Sequence, residues 1–173
     1  MEIIKLIALI LALSLMLFSC SATESELLSY QEKSFRTHIT WQVSSVAFCA
    51  VMTSHPDTDT RTLEFTSPPS LAGITVKKCQ NETIATLDGI EISSPAVLRL
   101  AEIMNLFSIS GTMKHPSLTS LSGVKMNRLE ITDPCGTLYE LYLYPASGLP
   151  RLICTELFGN AFSLEVISFE FIS

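Results

Sequence analysis

From residue 35 onward the hydrophobic positions recur with a period of two. In "FRTHITWQV", Phe35, Ile39, Trp41 and Val43 alternate with Arg36, His38, Thr40 and Gln42, which predicts a strand with one buried and one wetter face. "VAFCAVM" (46–52) is apolar on both sides, so it is expected beside this strand, covered on both faces or turned toward a ligand cavity. Turn chemistry in "SHPDTDT" separates it from "RTLEF", and "SPPS" then stops the ladder because proline has no N–H to donate. "ITVKKC", "TIATL" and "IEI" follow as three more strands, with turns at Gln80-Asn81 and Asp88-Gly89. After a loop over 112–123, "VKMNRLEIT", "TLYELYLYP", "PRLICTEL" and "FSLEVISFEF" form a second run, broken by turns at Asp133-Pro134-Cys135-Gly136, Ala146-Ser147-Gly148 and Gly159-Asn160.

One segment departs from this period. Ser94 is placed to cap a helix, Pro95 suits its first position, and residues 96–107 contain neither glycine nor further proline. At 100° per residue, Val97, Leu100, Ile103, Met104 and Phe107 share one side and Arg99, Glu102 and Asn105 the other, with Leu98 and Leu106 interrupting the polar stripe. Such a helix suits the hollow of a curved sheet, and Gly111 is expected to end it or the loop beyond. The fold class read from the pattern is α+β: one principal α-helix between two antiparallel β meanders.

The N-terminus has a different character. Lys5 precedes an apolar run from Leu6 to Phe18, shorter than the roughly 20 residues of a bilayer-spanning helix and of the length of a signal-peptide core. Leu17-Phe18-Ser19-Cys20 follows, and it resembles the lipobox of bacterial lipoprotein signals, departing from it in the bulky Phe18 and in Glu2, which offsets Lys5. The resemblance implies cleavage before Cys20 and a diacylglyceryl group on its thiol. The alternative is an ordinary secretory signal with a chance cysteine. The expected organisation is a lipoprotein signal peptide over 1–19, a flexible tether over 20–33 that can include a short helical turn, and a folded domain over 34–173.

Composition narrows the classes. Hydrophobic residues make up 47% of the 173 and charged ones 16%, which excludes a disordered chain. The net charge of −6 and the absence of any Lys/Arg run argue against nucleic acid as a partner. Besides Cys20 there are Cys49, Cys79, Cys135 and Cys154, an even number that in an exported chain permits two disulfides in any of three pairings; small buried cysteines also behave as plain hydrophobes. No spacing of Cys with His38, His55 or His115 matches a metal site, no G-x-S-x-G elbow is present, and the carboxylates Glu130 and Asp133, or Glu165 and Glu170, read as solvated charges, so neither catalytic residues nor a cofactor is expected. Asn81-Glu82-Thr83 fits a glycosylation sequon but reads as a polar turn. Tyr139, Tyr142 and Tyr144 fall on both faces of one strand.

The element order resembles the half-barrel of the periplasmic lipoprotein carriers and receptors (LolA/LolB-like), of related mycobacterial lipoproteins, and most of all of small uncharacterised lipoproteins of gut clostridia. The residues that carry it are Phe65, Pro68 or Pro69, Leu71, Gly73 and Ile74, then Asp88-Gly89 and Gly148-Leu149-Pro150. The resemblance implies a curved antiparallel sheet wrapping the helix, with space between them for acyl chains. It supplies no ligand-contact motif. Trp41, Val97, Leu100, Met104 and Phe107 are the expected lining if that space is a ligand cavity, and Trp41, Met104 and Phe107 are also natural core residues. The expected protein is thus a non-enzymatic lipoprotein, held by its lipidated N-terminus on the extracytoplasmic face of a bacterial membrane. It binds a lipid or other hydrophobic molecule between helix and sheet, or alternatively holds a partner protein through its sheet surface.

Overall fold

The structure, a computed structural model, describes residues 27–173 apart from Asn81 and Phe158. The expectations for residues 1–26, Cys20 among them, and for Asn81 lie outside these. The described residues form an antiparallel sheet of twelve strands, open at both edges. Six strands run in sequence from the middle of the sheet to one edge: β1 (Phe35–Val43), β2 (Val46–His55), β3 (Thr60–Ser67), β4 (Ile74–Cys79), β5 (Glu82–Leu87) and β6 (Ile90–Ile92). The chain then crosses to the far edge, where β7 (Thr112–Met113) and β8 (Ser117–Leu121) both pair with β9 (Val124–Thr132). It returns through β10 (Leu138–Leu143) and β11 (Pro150–Leu157) to β12 (Asn160–Phe171), which pairs with β1.

The period of two explains the seam. On β1, Phe35, Thr37, Ile39 and Trp41 all face the core, and so do Phe162, Leu164 and Val166 on β12. Thr37 is the polar member of its row; its hydroxyl donates to the Ser168 carbonyl at 2.7 Å, so no buried donor is left unpaired. Val43 stands clear of the core at the strand's end. β2 is covered on both faces only toward its end: Val51 and Met52 are buried, while Val46 and Ala47 are exposed. The tight turn at Asp88-Gly89 has positive φ at both residues, as a two-residue hairpin loop of the I′ kind requires.

Three expectations need correction. The helix over 96–107 is two short pieces, α1 (Pro95–Arg99) and α2 (Glu102–Asn105), so the fold is mostly β with a small helical element. Between them Ala101, Ile103 and Met104 donate to Leu98, Leu100 and Ala101, three residues back. Three residues per turn stack Ile103 over Leu106 and Met104 over Phe107, which buries all four against the sheet; the 100° projection leaves Leu106 in the polar stripe. Ser94 caps with its carbonyl, accepting from Leu98 N–H at 3.0 Å, and its side chain makes no capping bond. The folded body also begins before residue 34: Leu27 and Tyr30 are buried, the latter in a 3₁₀ turn, Ser29–Glu32. Third, the loop over 112–123 holds β7 and β8, which complete the sheet edge although their Ser/Thr-rich sequence shows no sustained alternation.

Candidate functional site

The residues expected to line a cavity separate into two groups. Met104 is fully buried, and Phe107 and Trp41 nearly so, within the main apolar core. Trp41 stacks on Phe48 with ring centroids 5.4 Å apart and meets Phe65 edge-on at 5.9 Å; Phe107 lies 5.8 Å from Phe35. Such ring pairs contribute about 0.5–1.5 kcal/mol each beyond the area they bury. Lys78 on β4 donates to the Asn105 side chain at 2.9 Å, tying α2 to the sheet. Val97 and Leu100, on or next to α1, are only half-buried. Leu100 borders an open hollow of about 400 Å³ with Pro95, Ala96 and Arg99.

A larger concavity lies on the other half of the sheet. Leu129 and Ile131 on β9 and Leu141 and Leu143 on β10 point into the core, so the alternating Met126, Arg128, Glu130, Glu140 and Tyr142 occupy the outer face. Here a cleft of about 740 Å³ opens between the β9–β10 turn and β11 and β12, bordered by Cys135, Thr137, Leu138, Glu140, Cys154 and Glu156 among others. The turn that forms one wall is fixed by Asp133. Its carboxylate accepts from the backbone N–H of Thr137 at 2.8 Å and of Cys135 at 2.9 Å, and from the Tyr139 hydroxyl at 3.2 Å. The bond from Thr137 above all holds Asp133 below the usual carboxylate range.

The register sets Glu130 directly opposite Glu140, a repulsive placement, and Arg128 resolves it. The guanidinium donates to both Glu140 oxygens, at 2.7 and 3.3 Å, and pairs with Glu130 at 2.8 Å; Lys114 closes the chain on Glu130 at 2.6 Å. The hydrogen bond from Arg128 lowers the Glu140 pKa, that from Lys114 lowers Glu130, and the Arg128 pKa rises in return. Ion pairs this exposed add little to stability, so their effect is to hold an oriented pattern of charge at the edge of the cleft. Tyr142 donates to Glu140 at 3.1 Å. Burial, and then the Glu140 charge, push the Cys154 thiol up, which keeps it protonated and weakly nucleophilic. Below this network the buried Met126 meets Tyr144 and Leu152 around a smaller hollow of about 130 Å³.

Cys49, Cys79, Cys135 and Cys154 are free thiols here. Cys49 and Cys79 pair with opposite ends of β3, at Ser67 and Thr60, about 23 Å apart along the strand. Three strand spacings, about 14 Å, separate Cys49 from Cys154, twice the reach of a disulfide. Cys135 and Cys154 border the same cleft. His38, His55 and His115 lie on β1, at the end of β2 and between β7 and β8, and no group of three metal-type ligands occurs among the described residues. No helix among them is long and apolar enough to cross a membrane.

The Arg128 network escapes a reading of the sequence strand by strand, yet a signal for it exists. With the turn at Asp133–Gly136 placing Thr132 opposite Leu138, counting back two residues at a time puts Glu130 against Glu140 and Arg128 against Tyr142.

No family model and no curated protein matches the chain. Among solved structures, an uncharacterised conserved protein from Thermus thermophilus is similar over 84% of this chain and 83% of its own, at 15% identity and a TM-score of 0.58. MucB, from the Pseudomonas aeruginosa MucA/MucB complex, is similar over 86% of this chain at 14% identity and a TM-score of 0.51. The chain spans only 56% of that protein's length. A LolA superfamily protein from Nitrosomonas europaea overlaps more loosely, at 12% identity and a TM-score of 0.46, over 88% of this chain and 95% of its own. At such identities the likeness to the first two is one of fold.

Proposed function

We propose that this chain is a non-enzymatic binding module of the bacterial envelope, anchored through lipid on Cys20, which holds a partner protein against the outer face of β9–β12. The observation that carries this reading is the packed interior. Met104 and Ile103 of α2, like Met52 and Leu63 on the sheet beneath, are fully buried, so an acyl chain has no room between α2 and the sheet. The space open to a partner lies outside, in the 740 Å³ cleft, which Glu140 and Glu156 border and beside which Arg128 and Glu130 complete the ion-pair network of Glu140. A preorganised, net acidic edge fits a partner segment rich in hydrogen-bond donors or positive charge. MucB, of similar fold, has been crystallised in complex with MucA(peri), in keeping with a protein partner for this architecture.

The test places a photo-crosslinking residue at Leu138, in the cleft, or at Val43, at the far end of β1, in living cells. Repeated capture of one protein from Leu138 but not Val43, lost in an Arg128→Glu variant, is the expected result. Equal capture from both positions, or natively purified protein carrying one lipid per chain in its interior, overturns the proposal. A second reading draws on the apolar hollow beside α1: a hydrophobic ligand lies against Leu100 and Pro95 at the mouth of the half-barrel. Uptake of a fluorescent fatty acid that Leu100→Glu abolishes favours that reading.

A further inference from the structure

A row of aromatic rings leads from the core to one corner of the body. Tyr30 meets Phe35 edge-on at 6.2 Å and Phe169 at 5.8 Å; Phe35 stacks on Phe169 at 4.6 Å; Phe169 meets Phe171 at 5.6 Å. Phe171, the last residue of β12, is 49% exposed, and the Lys33 ammonium sits 5.1 Å from its ring centroid. Ile172 N–H donates to the Ser34 carbonyl at 3.0 Å, so the end of β12 is fastened beside the segment that leads into β1. The N-terminal segment therefore joins the body at the same corner as a half-exposed ring capped by a cation.

We propose that this corner is the membrane-contacting end of the body, with the Phe171 ring in the bilayer interface and Lys33 among the headgroups. The proposal rests on the anchoring of Cys20 in that bilayer. Greasiness alone does not choose the corner, because the β1–β2 turn is just as apolar, with Val43 at 50% exposure. Chain length does. Residues 21–26 separate Cys20 from Leu27, and the seven steps reach about 25 Å even when fully extended. Phe35, paired with Phe171, and Val43 stand at opposite ends of β1, about 26 Å apart. Because the segment enters beside Phe35 through Tyr30 and Ser34, setting Phe171 on the bilayer leaves those few residues less distance to span than setting Val43 there. An aromatic ring beside a long-stemmed lysine also suits a boundary where apolar and wet surroundings meet. Glu32 and Glu170 offset Lys33 and Arg36 nearby, so contact is apolar in origin and holds as salt is raised.

The full chain, made and processed in a bacterial host, is reconstituted into phosphatidylcholine vesicles with and without brominated acyl chains. Phe171→Trp and Val43→Trp are compared, with the parent, whose single tryptophan Trp41 is buried, as background. The expected result is loss of emission to brominated lipid and a blue shift at 171, with neither at 43; Lys33→Trp gives a second position at the corner should the ring at 171 not tolerate exchange. Protein that floats with the vesicles but shows no quenching at 171 or 33, or shows it equally at 43, overturns this proposal alone. A chain that takes up no palmitate and does not float overturns the anchoring reading and this one with it.

Discussion

Met104→Ala is the sharpest probe of the packed interior. The substitution removes the sulfur, one methylene and one methyl from a side chain with no exposure to water, surrounded by residues of the main core. At about 0.8 kcal/mol per buried carbon-sized group the lost transfer free energy is about 2.4 kcal/mol. The cavity left behind adds to this, because Ile103, Leu106 and Phe107 are held in place by their own contacts with the sheet; the total is then about 3–4 kcal/mol, inside the range for Met→Ala in a close-packed site. Urea unfolding followed by far-UV circular dichroism reads the change. With a slope on the order of 2 kcal/mol/M, the midpoint falls by about 1.5–2 M at unchanged slope. Leu100→Ala, at a half-buried position on an open hollow, costs clearly less. A Met104→Ala variant within about 1 kcal/mol of the parent would mean that the side chain borders open space, and the case against an internal acyl site would fall with it.

Three further substitutions bear on the frame around that interior. At Gly111 an added Cβ meets the Thr132 carbonyl, so Gly111→Ala must push β7 away from β9 and is expected to cost upwards of about 2 kcal/mol; Gly123→Ala, with open space around it, costs only its left-handed backbone, about 1 kcal/mol, and equal losses in thermal unfolding refute the distinction. Burial pushes the Tyr30 phenol up to about 12, against an ordinary value near 10, so the stability it provides is whole below pH 10 and drains away as pH rises from 10 to about 12, by about 2–3 kcal/mol. Tyr30→Phe is expected to remove that part of the alkaline loss in denaturant titrations at about pH 8 and 11; parallel curves for parent and variant would show that Tyr30 is not the group responsible.

How far the fold is legible follows from how local each signal is. β1, β9 and β11 have the bounds of "FRTHITWQV", "VKMNRLEIT" and "PRLICTEL", and Asp88-Gly89 marks its hairpin, because alternation and turn chemistry act within a few residues. β7 and β8 are illegible since they are strands only by virtue of β9; Leu118 is largely exposed and nothing inside "SLTSL" demands extension. The break at Leu100-Ala101 has the same kind of cause: the sheet buries Leu106 as well as Met104, and tighter winding satisfies both at once. Tyr30 looks like part of a polar tether, and only the rings of Phe35 and Phe169 give it a place in the core. The core lining is thus readable as apolar residues, whereas its being filled is not. Packing density is a property of facing elements, and sequence spacing does not record it.

The seam between the first and last strands has a consequence for biogenesis. The bond from Thr37 to Ser168 joins positions 131 apart, and the partners of β1 on that side, between Leu164 and Phe171, are synthesised long after β1 itself. A growing chain therefore leaves the Phe35, Ile39 and Trp41 row with one flank of its backbone unmatched until β12 has been made. High contact order of this kind makes folding slow and invites wrong pairing meanwhile. Loss of β12 would undo the middle of the sheet, not its rim.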